Sequence, residues 1–541
     1  MASLSLRCAA VVVAALGIQA AVAGVAQPAR NHNSCRKTTV AVLGAGISGI
    51  TAAQALHNAS ISDFVILEYQ NRIGGRAHHT DFGAKPDGSP YTVELGANWI
   101  QGLGKPGGPQ NPIYILAEKH KLKNTFSDYK SILSYNETGY TDYTDLLDEY
   151  EAASKRASAA AGRLLLENLQ DQSARTGLAL AGWNPSHGDM AAQAVEYWSW
   201  DWEAAFPPEQ SSLIFGMASD NLTFHQYGEQ NNFVTDQRGF SAIIEGEARS
   251  FLRPGDGRLL LDKQITEIAH SESGVTVHAS DGSCVSAAYA ICSFSLGVLQ
   301  GSGVRFTPPL PRWKETAIQK FAMGTYTKIF YQFNETFWPR DKQYFLYASP
   351  TTRGHFAVWQ SLDADGFLPG SHILFATVTH DESYRLERQS DEATKQEGLR
   401  VLRAMFPDRA VPEPTAFLYP RWTDEPWARG SYSNWPVGTT LEMHQNLRAN
   451  VGRLWFAGEA LSAQYFGFLH GAWVEGHDAG AQVAGHVDGG RCVDVYAGRE
   501  PVCGDRVHYP HLRGTSPLEN YDLLHGWAKS SFIESQARSI G

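Results

Sequence analysis

The stretch TTVAVLGAGISGITAAQALHN, residues 38–58, decides the fold. A β-branched run ends at Gly44, the pattern G-x-G-x-x-G follows at Gly44, Gly46 and Gly49, and an Ala-rich helical segment begins at once. A second apolar strand, FVILE, then closes on Glu68. Gly44 permits the tight turn, Gly46 lets backbone approach a pyrophosphate at a helix N-terminus, and Gly49 lets helix and strand pack closely. Glu68 stands where a carboxylate accepts hydrogen bonds from a ribose diol. Strand, glycines, helix, second strand and terminal acid together predict an α/β dinucleotide-binding unit of Rossmann-like class. Just downstream, YQNRIGGRAHH sets Gly74 and Gly75 between Arg72 and Arg76. A glycine pair flanked by arginines suits a second loop against the same ligand, with guanidinium for phosphate. Taken alone, the same letters spell a basic surface turn.

Working outward, 541 residues with 43% hydrophobic and 19% charged content describe a globular chain long enough for two domains. The formal charge of −11 disfavours a nucleic-acid partner and mildly favours cationic ligands through long-range steering. The first residues, MASLSLRCAAVVVAALGIQAAVAGVA, join Arg7, an apolar stretch and small residues. They predict a secretory leader over 1–23, with cleavage after Ala23 or Ala26. A membrane anchor is the rival reading, disfavoured by the small-residue exit and the lack of a basic stop. No later stretch is apolar and long enough to span a bilayer, so the mature chain is expected without an anchor. Four acceptor sequons, at Asn58, Asn136, Asn221 and Asn334, agree with secretion. Cys492 and Cys503 lie in a loop-rich tail and suggest a disulfide there, leaving Cys35, Cys284 and Cys292 with an odd member. No His/Cys cluster has metal spacing, so no metal is expected.

One strand-like segment, FAMGTYTKIF (321–330), carries a lysine, Lys328, on the face shared with Tyr326 and Phe330. Such a lysine ordinarily snorkels from a sheet edge to water.

GAGISG, RIGGRA, ELGANWI (94–100), VTDQRGFSAII (234–244), LGVL (296–299), GTYTKIF (324–330), RGSYSNWPVG (429–438) and RLWFAGEALSAQYFGFLHGAWVEG (453–476) occur in this order. Together they resemble the flavin-containing amine oxidase family, closest to its polyamine oxidase branch. The likeness runs from about residue 38 to 488 and leaves out the last fifty residues. It implies an FAD-binding Rossmann-like domain from 37–120, 237–305 and 441–490, interleaved with an α+β substrate domain from 121–236 and 306–440. Residues 491–541 then form a wrapped or loosely attached tail. The sequence is compatible: 144–180 is helix-rich by its apolar spacing, 344–380 shows short aromatic and β-branched runs, and 258–268 reads as returning strands.

The resemblance also implies roles. FAD would be held by Gly44, Gly46, Gly49, Glu68, Gly75, Arg76, Gly96, Ala97, Asn98, Trp99, Ile265, Trp422, Trp427, Glu459, Phe468 and Val474. Ile265 would contact the adenine side through its backbone, and Glu459 the ribitol chain. Tyr432 and Phe468 match two rings that face each other before the flavin, an aromatic slot for an alkyl amine. Lys328 matches the lysine that reaches flavin N5 through a held water and is the expected catalytic residue. Tyr326 is expected to touch substrate, and Glu203 matches a carboxylate that would hold distal ammonium groups of a polycation. Gln101 and Ala204 depart from the pattern, which has a second acid and an aromatic there. These replacements bear on regiochemistry or chain length. The loop RGSYSNWP lacks the cysteine by which monoamine oxidases tether flavin, so FAD should be non-covalent. The expectation is a secreted FAD-dependent oxidase of spermine, spermidine or acetylated relatives, passing hydride to flavin and electrons to O2 with release of H2O2. An L-amino-acid oxidase is the rival enzyme, and needs an arginine for the substrate carboxylate. A non-catalytic relative that binds prenylated partners is the rival of a different class.

Overall fold

The glycine turn read from residues 38–58 joins strand Arg36–Leu43 to helix Ile47–Asn58. The computed structural model describes residues 34–489 and 504–516, apart from the side chains of 218–222 and 225. The expected leader, Cys492, Cys503 and most of the tail therefore lie outside the described residues. From Cys35 onward the described chain belongs to one compact unit.

Strand Arg36–Leu43 is the centre of the first sheet. It pairs parallel with Phe64–Leu67 on one side and Cys284–Cys292 on the other, and Leu259–Leu260 extends the row beyond Phe64–Leu67. Cys284–Cys292 changes partner along its length. Its start pairs antiparallel with Gly274–Ala279 and its end parallel with Leu454–Phe456. Ile265–Ser271 and Arg305–Thr307 complete the sheet. Val40–Leu43 are wholly buried because helices cover the parallel core, which explains the near-continuous apolar sequence.

Helix Ile47–Asn58 lies against helix Leu469–Val487 with almost no side chain between them. A Cβ at Gly476 would stand 2.2 Å from the Ser48 carbonyl oxygen, and one at Gly480 2.4 Å from that of Ala52. The two helices meet backbone to backbone, and the four-residue glycine spacing was the only sign of it in the sequence.

Cys35 and Cys284 form a disulfide, joining the start of the central strand to the start of its neighbour. Cys292 is buried and unpaired. The odd member left by the sequence is thus Cys292 among the described residues.

The second sheet runs Ala416–Leu418, Tyr326–Gln332, Ile373–Thr379, Val358–Ser361, Tyr344–Tyr347, Ile132–Asn136, Gly139–Tyr140. Strand Tyr326–Gln332 is buried along its whole length between two neighbours. Lys328 therefore does not snorkel from an edge. Helices Thr144–Leu166 and Ala174–Leu180 occupy the stretch read as helix-rich. First-sheet strands come from 36–67, 259–307 and 454–456, and second-sheet strands from 132–140 and 326–418, so the chain passes repeatedly between the two sheets.

Residues 504–516 are fastened along helix Leu441–Arg448. Asn446 exchanges two hydrogen bonds with the backbone of Tyr509, and Gln445 donates to the Val507 carbonyl. Arg506 is buried, donating to the carbonyls of Arg448 and Phe456 and to Asp478. This part of the tail is docked rather than loose.

Candidate active site

A cavity of about 430 Å3 opens at the carboxyl ends of the parallel strands, where Gly44, Glu68, Ser293 and Gly458 line it. Ligands of open α/β sheets bind there. Gly44 has φ +103°, and a Cβ on it would come within 2.6 Å of Ser293 Oγ. Around Gly46, by contrast, a Cβ would meet only Gly75 Cα, at 3.9 Å. Helix Ile47–Asn58 starts here without a side-chain cap. Its first-turn N–H groups and positive dipole end form a cradle for pyrophosphate. Gly49 packs beneath: a Cβ there would lie 1.9 Å from the Gly44 carbonyl oxygen, so its role is close packing and not lining.

Glu68 Oε2 accepts from Ala45 N at 2.6 Å and Oε1 from Gln70 N at 2.9 Å. Burial raises its pKa, while these bonds and Arg72 act the other way. Each carboxylate oxygen keeps a lone pair for a ribose hydroxyl. Ile265 lines the same end of the cavity, with Lys263 and Gln264. The second glycine loop is held to the first by Gly74 N donating to the Ala45 carbonyl at 2.9 Å.

Gly75, Arg76, Gly96, Ala97, Asn98, Trp99, Trp422, Trp427, Glu459 and Phe468 all line the cavity. Arg76 Nη1 donates to Glu459 Oε1 at 2.9 Å and to the Ser431 carbonyl at 2.7 Å. Glu459 Oε2 accepts from Ser433 Oγ at 2.6 Å and Gly467 N at 2.9 Å. Segments distant in sequence thus meet at one carboxylate on the cavity wall. The glycine cradle, the ribose-seeking carboxylate and this polar junction fit FAD.

Two residues expected on the cofactor side stand elsewhere. Val474 faces the core of the first sheet, and Leu469 and Ala472 line the cavity in its place. With 100° per residue, a helix that turns Leu469 and Ala472 to the cavity carries Val474 away. Lys328 also lies behind the wall. Its Nζ donates to the carbonyls of Glu94 at 3.1 Å and Gly96 at 2.7 Å and to Asn98 Oδ1 at 3.0 Å. An ammonium has three protons, and the protein offers an acceptor to each. Burial pushes Lys328 down to about 7 and the neighbouring Glu94 up to about 7, each partly offset by the other's charge.

Gln101, Tyr129, Glu203, Tyr326, Tyr432 and Met217 also line the cavity. Gln101 Nε2 donates to Glu203 Oε1 at 2.9 Å, and the Tyr432 hydroxyl donates to the Glu203 carbonyl at 2.8 Å. The residue that departs from the family pattern therefore grips the acid that keeps to it. Tyr432 packs on Tyr326 with ring centroids 5.8 Å apart, and Phe468 stacks on His470 at 5.0 Å. Gly467 keeps space beside the Tyr432 ring, where a Cβ would lie at 3.4 Å. Trp99 meets Trp202 edge to face at 5.5 Å. The charged residues lining the cavity include Glu203, Arg76 paired with Glu459, Lys263 paired with Asp281, and Arg429.

Sequence reasoning missed Ser293–Ser295, Tyr129, Trp200 and Met217. Ser293 was within reach, because the residue after an apolar parallel strand faces the ligand crevice. The others sit on helices and loops whose cavity-facing side depends on packing.

Of the sequons, Asn58 and Asn334 are exposed, Asn136 is half-buried, and the Asn221 side chain is outside the described residues. His355, Glu382 and Glu397 come together as potential metal ligands, yet Arg385 already takes both carboxylates, at 2.8 and 2.6 Å. No helix among the described residues is long and apolar enough to cross a membrane.

Comparison with known proteins agrees with this geometry. The fold is similar to that of putrescine oxidase bound to putrescine, with a TM-score of 0.65 and 19% identity over 83% of this chain and 99% of that one. Polyamine oxidase 7 of Oryza sativa subsp. japonica is 40% identical over 81% of this chain and 93% of its own. Polyamine oxidase 1 of Zea mays is 40% identical over 83% and 91%. The family model for flavin containing amine oxidoreductase matches residues 47–484. The chain accordingly belongs to the flavin-containing amine oxidoreductase family and is an FAD-dependent amine oxidase.

Proposed function

We propose that the chain is a secreted polyamine oxidase acting on spermine, spermidine or their acetylated forms. The observation that carries this reading is Glu203, held by Gln101 in a cavity whose lining includes the rings of Trp99, Tyr326 and Tyr432. A carboxylate so placed attracts an ammonium, and the rings of Trp99, Tyr326 and Tyr432 suit an aliphatic cation. The names of the relatives point the same way. Secretion rests on the N-terminal sequence and on the exposed Asn58 and Asn334.

Bound FAD supplies the oxidant that takes hydride from the carbon beside the amine nitrogen and hands the electrons to dioxygen. The chain's own part is to bind and orient. Glu203 holds a distal ammonium, so that a different, unprotonated nitrogen of the same chain lies toward the cofactor. Tyr326 and Tyr432 wall that nitrogen from water, which favours its neutral form. Lys328 acts from behind, fixing the segment Glu94–Asn98 that forms one wall. FAD is held without a covalent bond, since the loop 429–438 contains no cysteine.

A peroxide assay with spermine, spermidine, N-acetylspermine, phenylethylamine and leucine tests the reading. Turnover of the polyamines with little on the others is expected. Activity on leucine with none on spermine would overturn it.

A further inference from the structure

Helix Met190–Glu196 runs into a five-residue π-turn, Tyr197–Asp201, and continues through Trp202–Ala204 to Ala205, which leaves the helix at φ +56°. A π-turn inserts one residue into the helical path, and one residue corresponds to about 100° of rotation. Which way Glu203 faces, two residues beyond the insertion, therefore depends on whether the turn is kept. Such turns are less stable than regular helix and persist where surrounding contacts hold them.

Those contacts converge on one side chain from another part of the chain. Arg353 Nη2 donates to Glu196 Oε1 at 2.9 Å and Asp201 Oδ1 at 2.6 Å, while Nη1 donates to Asp201 Oδ2 at 2.6 Å. Glu196 is the residue before the π-turn and Asp201 is its last, so a single guanidinium ties the two ends together. Both carboxylates are buried, at 0% and 2% exposure. Glu196 is completed by Arg175 and by Trp183 Nε1 at 2.9 Å. The first residue of the turn is fastened as well: Thr379 N donates to the Tyr197 hydroxyl at 2.7 Å. Thr379 pairs with Tyr326, so the turn is registered on the strand end that carries a cavity residue. Gly354 lets the Arg353 loop come this close, since a Cβ there would fall 2.5 Å from the Tyr197 ring. Ser199, Trp200, Trp202 and Glu203 are what this assembly presents to the cavity.

We propose that Arg353 is a positioning residue for substrate specificity: by clamping Glu196 to Asp201 it keeps the π-turn, and so sets the direction of the Glu203 carboxylate in the cavity. Neither Arg353 nor Asp201 touches the cavity; both act through Glu203, and the inference rests on the reading of Glu203 as the ammonium-binding acid. Lysine keeps the charge of Arg353 but cannot bridge two carboxylates in one plane.

The test is a double-mutant cycle on the FAD-loaded enzyme, pairing Arg353→Lys with Glu203→Gln, with KM and kcat for spermidine and anaerobic spermidine affinity as readouts. Arg353→Lys alone should raise KM and weaken binding by about tenfold with kcat within about threefold, and in the Glu203→Gln background its effect should shrink below about twofold. A tenfold effect that persists without the Glu203 carboxylate overturns the proposal, as does a lowered melting temperature with KM unchanged. If Arg353→Lys does not fold, Asp201→Asn replaces it in the same cycle with the same expectations. A wild-type enzyme that oxidises no polyamine refutes the polyamine reading instead, and the cycle is then read with the amine it does oxidise.

Discussion

Replacing Lys328 with methionine would remove three hydrogen bonds, to the carbonyls of Glu94 and Gly96 and to Asn98 Oδ1, from a site 1% exposed to solvent. Hydrogen bonds from a charged group contribute about 1.5–3 kcal/mol each, against several kcal/mol to desolvate the ammonium. Glu94 limits the loss: burial already holds it near 7, and without Lys328 it rises further and takes a proton at neutral pH. A net destabilisation of about 3 kcal/mol follows, and at ~2 °C per kcal/mol the melting temperature falls by on the order of 5 °C. Adding Glu94→Gln should recover part of this above pH 7, because it removes a buried carboxyl that must otherwise be protonated.

The pair also carries a pH signature. Glu94 is raised toward 7, so the stability it contributes is lost as pH climbs from 4.5 to 7. Lys328 is lowered toward 7, so the unfolded chain binds its proton more readily and stability is regained from 7 to 10.5. The two together give a local minimum near 7 that the double variant lacks. Thermal unfolding of holo- and apoprotein across this range measures both effects, and stopped flow measures flavin reduction and reoxidation. A Lys328→Met protein as stable as wild type, or a double variant no more stable than the single one above pH 7, refutes the reasoning. Unchanged rates in both half-reactions would remove Lys328 from catalysis; a slowing of at least about tenfold in one is expected if the wall it fixes orients the cofactor and substrate.

Burial holds His444 and His470 neutral down to about 3, so each contributes stability above its unfolded value of 6.5 that drains as pH falls. Unfolding free energy should drop steeply below pH 6.5, by about 1.4 kcal/mol per pH unit per histidine, seen as a falling melting temperature, and His470→Asn should flatten that slope. Gln101→Leu deprives the Glu203 carboxylate of its donor; KM for spermidine should rise about fivefold, a loss of about 1 kcal/mol, with kcat little changed. Cys35→Ser opens a 249-residue loop and should destabilise by on the order of 4 kcal/mol, seen as an earlier unfolding transition of the oxidised protein.

How much of this was legible in the sequence follows from the range over which each signal acts. The glycine turn, Glu68 and the paired glycines lie within forty residues, and local sterics fix their shapes; the structure lines them along one cavity. Lys328 was visible as an oddity because a charge inside an apolar strand breaks the pattern. Its partners were not, since Glu94, Gly96 and Asn98 lie more than two hundred positions away. Val474 packs in the core of the first sheet, on a helix that turns Leu469 and Ala472 to the cavity, and which side of a helix meets a cavity depends on packing. The π-turn had no signature at all: YWSWD reads as ordinary helix, and only Arg353 and Tyr197 reveal why it departs from one.

The partner change along strand Cys284–Cys292 bears on how the chain is made. Its inner neighbour, Arg36–Leu43, emerges from the ribosome first and then waits for some 240 residues. At about 5–20 residues per second that interval is roughly 10–50 s, during which a strand whose second half is apolar has only Phe64–Leu67 beside it. The last parallel partner, Leu454–Phe456, comes later still, and Arg506 follows it to a seat on the Phe456 carbonyl. The cofactor half is thus closed only after residue 506 has been made. Its early strands must be shielded in the meantime, and a ribosome that stops before residue 506 releases a nucleotide-binding sheet without its clasp.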